Sequence, residues 1–164
     1  MSNIKRLFLC LVAVFLLFCF ASPVTFATGE ENQNLTIIYK DQHTPIKGCE
    51  FQIYYVASLT QNGEYVPTKA FQGYSLVFEA ETIQRLAYTV ESYVARDFIA
   101  PTKIATTNQW GSLVFENLPS GIYLVLASRH IQNNHAYETR PFIASLAGAP
   151  EEVQVFPKSE SKPP

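Results

Sequence analysis

Cysteine is scarce in this chain of 164 residues, which contains only three. Cys10 and Cys19 lie in an apolar segment near the N-terminus, so Cys49 is alone in the rest of the chain. One cysteine cannot form an internal disulfide, and the zinc-binding and redox cysteine patterns are absent. Cys49 lies beside an apolar run that begins at Phe51, so we expect a buried and unreactive thiol.

An excess of charge of one sign is also lacking. The chain has 14 acidic and 12 basic residues, which gives a net charge of −2, and no basic stripe occurs. Nucleic acid is therefore not an expected partner, because binding it requires a concentrated positive surface.

The motifs of common catalytic and metal sites are missing. The sequence has no phosphate-binding loop, no Gly-x-Ser-x-Gly and no His-Glu-x-x-His. His43, His130 and His135 lack metal-ligand spacing and are interpreted as surface histidines. We therefore expect no metal, no cofactor and no enzymatic activity, and a hydrolase with an unrecognised site stays as an alternative.

Only one long apolar run occurs, from Leu7 to Phe20. The basic residues Lys5 and Arg6 precede it, and small residues near Ala27 follow it, as in a secretory signal peptide. A membrane-spanning helix needs about 20 apolar residues. We therefore predict a signal peptide over residues 1–27 and a secreted chain without a membrane segment after cleavage; an uncleaved anchor is the alternative.

Residues 28–157 are predicted to form one domain that is mainly β. Leu35–Lys40 is rich in β-branched and aromatic residues, and the first part of Phe51–Leu59 alternates apolar and polar side chains, so both segments are predicted strands. The Asn62-Gly63 pair indicates a hairpin turn. Further strands are predicted at 112–115, 122–127, 141–146 and 153–156, and Ser128–Arg140 is interpreted as a polar loop.

The apolar period changes between Glu79 and Phe98. Apolar residues recur there at intervals of three and four, which places them on one face of a helix: Ile83, Leu86, Ala87, Val90, Tyr93 and Val94. One helix is therefore predicted within a β-rich chain, followed at 158–164 by a tail typical of a linker.

Several segments resemble a known family in order and spacing. Residues 106–125, TTNQWGSLVFENLPSGIYLV, resemble the threonine-turn and F-x-N-L-P-x-G-x-Y-L-V signature of Cna protein B-type domains. Residues 45–57 are similar to the second strand of that family. The resemblance narrows to the N-terminal domains of Gram-positive, sortase-assembled pilin shaft subunits. These domains have a similar helix and segments similar to residues 99–101, residues 141–146 and the run VQVFPK at 153–158.

The resemblance implies a fold and a linking residue. The fold would be an immunoglobulin-like or prealbumin-like β-sandwich with one inserted helix at about 79–98. Lys158 matches the pilin-motif lysine, which in the family attacks a thioester that a class C sortase makes with a neighbouring subunit. The implied partners are other pilin subunits and that sortase, at the cell surface or cell wall. One departure is Ala149, where family members have tryptophan.

The family also forms internal isopeptide bonds, and Lys40 matches the lysine of that bond. The matching position for the acid that assists the reaction is Ala127, which has no carboxylate. Glu50 or Glu116 is left as a substitute. An alternative function is a small secreted adhesin or binding module for host or carbohydrate ligands, with the segment 128–140 as its binding surface.

Overall fold

The computed structural model describes residues 32–147, 152–158 and 160–162. The predicted signal peptide and Ala149 lie outside these residues. Among the described residues, no helix combines the length and the apolar character needed to cross a membrane.

One sheet of the molecule has three strands in the order β12-β1-β7. β1 is Gln33–Ile38, β7 is Ser112–Leu118 and β12 is Glu152–Val155. β1 is parallel to β12 and antiparallel to β7. Leu35 and Ile37 of β1 are fully buried, so this face of the sheet points into the core.

A second, five-stranded sheet lies against the first and has β4, Glu50–Leu59, near its centre. β8, Gly121–Ala127, pairs with β4 on one side, and β11, Phe142–Leu146, pairs with β8. Two short strands share the other edge of β4: β5, Tyr65–Pro67, and β6, Lys103–Thr106.

β8 is buried on both faces because it separates two hydrophobic cores. Tyr123 and Val125 point into the core between the sheets, while Ile122 and Leu124 point into a second core on the outer face of the five-stranded sheet. The nearly uninterrupted apolar sequence of this strand agrees with burial on both faces. The prediction of a mainly β sandwich with one inserted helix is confirmed.

The helix α1, Ile83–Asp97, covers the second core. A 3₁₀ turn at Ala80–Thr82 precedes it, so the predicted helix at about 79–98 is confirmed with its first turn in a tighter form. Its buried residues are spaced as the period predicts: Leu86, Ala87, Val90 and Val94. The helix ends at Phe98, which adopts a left-handed backbone conformation.

The interpretation of Ser128–Arg140 as a polar loop is wrong. The segment contains a β-hairpin made of β9, His130–Gln132, and β10, His135–Glu138. Asn133 and Asn134 between them both have positive φ, which a two-residue hairpin turn requires and asparagine tolerates. A third strand, β13, Glu160–Lys162, pairs with β10 and lies in the tail predicted as a linker.

The end of the sandwich beyond β1 is closed by residues 40–49. Lys40–Asp41 (β2) and Thr44–Pro45 (β3) form a small hairpin there. Thr107 holds the segment that follows, because its hydroxyl donates to the Ile46 carbonyl at 2.7 Å and accepts from the Cys49 amide at 2.9 Å. Gly111 also packs against this segment, next to the backbone of Tyr39 and Pro45.

Replacing Gly111 by alanine is expected to destabilise the fold strongly. Gly111 has a φ of +71°, and an added Cβ would collide with the Tyr39 carbonyl oxygen. Gly63 has a similar φ of +81° but open space around it. Gly63→Ala therefore measures the free-energy cost of the left-handed backbone alone, without a steric clash. We expect a loss of about 1 kcal/mol for Gly63→Ala and about 3 kcal/mol or more for Gly111→Ala in denaturant unfolding. Equal losses would contradict the close packing at Gly111.

Thr107 offers a test of the buried hydrogen bonds at the same end. Thr107→Val keeps the shape but removes the partner of the Ile46 carbonyl and of the Cys49 amide, so we expect a loss of about 2–4 kcal/mol in the free energy of unfolding. Thr107→Ser keeps the hydroxyl and is the matched control, expected to lose less than half as much. A valine variant as stable as the serine variant would show that these bonds do not matter.

Candidate linking lysine and its groove

Lys158 lies in a short arch between two paired strands. β12 ends at Val155 after pairing with β1, and β13 begins at Glu160 and pairs with β10. The Lys158 side chain is exposed, and Pro157 precedes it. Since both flanking segments are held by backbone pairing and proline restricts its own φ, the arch presents the amine from an anchored position.

Salt bridges join β13 to β10. Glu160 pairs with Arg140 at 3.0 Å, and Lys162 lies 3.5 Å from Glu138, which also pairs with Arg129 at 3.3 Å. These side chains are about half exposed, so each single pair contributes at most about 1 kcal/mol. Together they help to hold β13, the strand that follows the arch, against β10 and Arg140.

A groove of about 640 Å³ runs along the Lys158 arch. One wall is formed by residues 139–142, which include the exposed Arg140 and the buried Pro141, and the other by residues 155–158. Gln84 of α1 lines the groove as well and donates its side-chain amide to the Pro141 carbonyl at 3.0 Å. The groove therefore combines apolar side chains, a guanidinium and a primary amine at its rim.

Lys40 is placed differently from the core-facing residues of β1. The alternation of that strand directs Leu35, Ile37 and Tyr39 into the core, and all three are fully buried, whereas Lys40 is exposed and opposite Pro45. The core-facing position at this end of the strand thus belongs to Tyr39. An internal bond through Lys40 stays a prediction.

The two candidate acids for that bond have these surroundings. The Glu50 carboxylate accepts a hydrogen bond from the Gln52 side chain at 2.9 Å, and Glu116 is exposed on β7. Ala127 pairs with Phe51 at the end of β8. None of the described hydrogen bonds joins either carboxylate to Lys40.

The three histidines do not form a metal site. His43 and His135 are exposed and His130 is half-buried at the start of β9. The part of the chain that the structure describes contains no group of three or more His, Cys, Asp or Glu side chains placed to hold a metal ion. Cys49 is buried, and burial raises the pKa of its thiol to about 11, which keeps it in the unreactive thiol form.

The sequence predicts Lys158 as the linking residue, which stays a prediction, but it does not predict that Arg140 and Glu160 lie beside Lys158 at the groove. Arg140 and Glu160 are 20 residues apart and meet only because β13 returns to pair with β10. The sequence signal that could have indicated this is the complementary charge on the two segments, but it does not specify a pairing.

The chain is similar to several solved structures, but it matches no family model. No protein-family model matches the chain, and no curated protein matches it. Similar solved structures include the major pilin SpaD of Corynebacterium diphtheriae (22% identity, TM-score 0.46) and a variant of BcpA, the major pilin of Bacillus cereus (12%, 0.44). In both cases 78% of this chain is covered, but only 30% of the pilin.

The basal pilin SpaB of Lactobacillus rhamnosus GG is also similar, and here the similarity extends over nearly all of the pilin. It is 16% identical, with a TM-score of 0.45, and the similarity covers 77% of this chain and 96% of SpaB.

The buried Tyr39 is expected to make stability fall at high pH. Its ring packs edge-on against Phe51 with centroids 5.4 Å apart, and its hydroxyl accepts a hydrogen bond from Thr139 at 2.9 Å. Burial raises the pKa of Tyr39 to about 12 from its ordinary value of 10.0. A phenol with a raised pKa stabilises the fold fully below pH 10 and loses that contribution as pH rises through 12.

Tyr39→Phe isolates this effect. We expect the stability difference between wild type and Tyr39→Phe to stay constant up to about pH 9.5 and to shift against the wild type by about 2 kcal/mol by pH 12, measured by urea unfolding. A difference that stays flat across that range would contradict burial of the Tyr39 hydroxyl.

Proposed function

We propose that this chain is a structural module of the bacterial surface, a pilus subunit domain in which Lys158 accepts an acyl group from a sortase. The observation that carries the proposal is the exposed amine of Lys158 on an arch held at both ends by paired strands, at the rim of a groove. The order of sequence motifs that ends at this lysine supports the same function.

The chemistry requires little of this chain beyond presentation of the amine. The unprotonated Lys158 nitrogen attacks the acyl carbon of a thioester between the sortase cysteine and the donor subunit. The carbon–sulfur bond breaks, the thiolate leaves, and the nitrogen loses a proton to give an isopeptide bond. The enzyme in this reaction is the sortase, and this chain is its substrate.

The groove beside Lys158 suits an extended acyl-donor segment. Its apolar contribution comes from Pro141, Phe142, Val155 and Pro157, and Arg140 can donate to peptide carbonyl groups. An anchored nucleophile next to a preformed peptide-binding surface lowers the entropic cost of bringing the two reactants together. Under this proposal the working domain is the predicted domain of residues 28–157 together with Lys158 and β13, secreted through the predicted signal peptide.

Lys158→Arg is expected to abolish cross-linking by a class C sortase. The guanidinium keeps the charge and the length of the side chain but is not a nucleophile at neutral pH. The assay incubates the chain with the sortase and a donor protein that carries a sorting signal, and maps the cross-linked peptides by mass spectrometry. We expect one isopeptide bond, at Lys158.

Lys47→Arg is the matched control, because Lys47 is an exposed lysine at the same end of the sandwich. It is expected to cross-link as the wild type does. Linkage through another lysine, or no linkage by a sortase that is active on a second acceptor, would overturn the proposed role of Lys158.

A further inference from the structure

The two sides of the Lys158 arch are held by different forces. On the side that precedes the arch, Val153 and Val155 of β12 pack against the core between the two sheets. On the side that follows it, β13 has the sequence ESK, with no apolar side chain. Burial of apolar surface therefore stabilises the first side, whereas the second side depends on backbone pairing and on charge.

The charges on this second side form a continuous row that alternates in sign, which we call the charge ladder. Its members, in order, are Arg129, Glu138, Lys162, Glu160 and Arg140. Neighbouring members lie 3.3, 3.5, 3.6 and 3.0 Å apart along the row. The ladder joins both charged residues of β13 to β10 and to the residue that follows it, and it ends in the wall of the groove.

Glu160 is the member that joins β13 to the groove. Its Oε1 accepts hydrogen bonds from Nε and Nη2 of Arg140 at 3.2 and 3.0 Å, and its Oε2 lies 3.6 Å from Lys162 Nζ. A guanidinium has five N–H donors, so Arg140 can hold Glu160 and still donate to a bound peptide. The described salt bridges do not include Lys158, so its amine stays available while the ladder holds the strand that follows it.

The charge ladder is sensitive to its surroundings. Its members are exposed side chains, and exposed ion pairs are weak singly and screened by salt, although several in a row stabilise more than one alone. β13 has only three residues, so without the ladder only a few backbone hydrogen bonds hold it against β10. The strand that fixes one end of the arch is therefore stabilised largely by charge.

We propose that Glu160 and Arg140 are positioning residues for Lys158: through the charge ladder they hold the arch closed, and the closed arch directs the amine at the acyl carbon. This role rests on the proposed function of Lys158. It makes the yield of the linking reaction depend on how firmly β13 is held.

The thioester between the sortase and the acyl donor can react in two ways. If the Lys158 nitrogen attacks, the carbon–sulfur bond breaks, the thiolate leaves and the nitrogen loses a proton, which gives the isopeptide bond. If water attacks, the same bond breaks and the donor is released with a carboxylic acid. An amine held in position competes better with water, so a loosened arch shifts the outcome towards hydrolysis.

The ratio of cross-linked to hydrolysed donor is therefore the measurement. Glu160→Gln keeps the shape of the side chain and removes the central charge of the ladder. We expect its ratio to be about two- to fivefold lower than that of the wild type, as the strength of exposed ion pairs predicts. Because both products come from the same thioester, the ratio does not depend on how fast the sortase forms it.

Lys47→Gln is the matched control. It removes one charge at the same end of the sandwich, and Lys47 is exposed and belongs to none of the described salt bridges. We expect it to give the wild-type ratio. An equal fall in Lys47→Gln and Glu160→Gln would overturn the role of the ladder, because the effect would then come from net charge.

Salt offers an independent test without a mutation. Raising sodium chloride from about 0.05 M to about 1 M screens the exposed pairs, so we expect the wild-type ratio to fall towards that of Glu160→Gln. The ratio of the variant, which has lost the centre of the ladder, is expected to change much less. A parallel fall in both proteins would contradict the proposal.

Two further measurements separate positioning from a change in the amine itself. Hydrogen exchange of the β13 amides is expected to be faster in Glu160→Gln than in the wild type. Acetylation of Lys158 by a small activated ester is expected to be at least as fast in the variant, because that reaction needs only an exposed amine. Acetylation that slows as much as cross-linking would overturn the positioning role.

Ser161→Pro tests the strand with the charges of the ladder unchanged. Ser161 pairs with Tyr137 in the middle of β13, and proline there interrupts the pairing. We expect a ratio at least about tenfold lower than that of the wild type, since the amine is then held on one side only. An unchanged ratio would show that β13 does not position Lys158 and would overturn the proposal.

The outcomes also separate this role from the proposed function. A wild type that is not cross-linked at Lys158 would overturn the proposed function, and the positioning role with it. A wild type that is cross-linked at Lys158, with the same ratio in Glu160→Gln, would overturn the positioning role alone.

Discussion

The burial of β8 on both faces is the constraint on which the other layers depend. Seven residues without a charged side chain must be covered above and below, and one sheet can cover only one side. The second face is covered by α1, which the chain inserts between β5 and β6. As a result the outer edge of β4 is divided between two short strands, and the molecule has three layers around two cores.

The same helix places two surfaces of different chemistry. Near its start, Gln84 reaches the Pro141 carbonyl at the groove of Lys158, and at its end the chain leaves through Phe98. The groove has charged and polar groups beside its apolar walls, whereas Phe98 is an exposed apolar side chain on a left-handed backbone. Because α1 is fixed by the second core, the positions of Gln84 and Phe98 follow from how an amphipathic helix packs on β8.

The strength of the sequence pattern explains what could be predicted. β8 and α1 were predicted because their apolar spacing extends over many residues. β9 and β10 were not, since short strands with histidine, glutamine and asparagine have no apolar period, and β13 has only three residues. The alternation of side chains along β1 and the two residues after it does predict that Lys40 points away from the face shared by Leu35 and Ile37. The contact between Arg140 and Glu160 at the groove depends on pairing between distant segments, which local sequence does not encode.

The parallel pairing of β1 with β12 has a mechanical consequence. β1 starts at one end of the sandwich, and β12 ends just before Lys158 at the opposite end. Tension applied between Lys158 and the start of β1 therefore pulls the two neighbouring strands lengthwise past each other. In that direction the backbone hydrogen bonds along Asn34–Ile37 bear the load together, and β1 passes part of it to β7. The strand order thus makes the path from the arch through the first sheet the direction in which the domain resists extension.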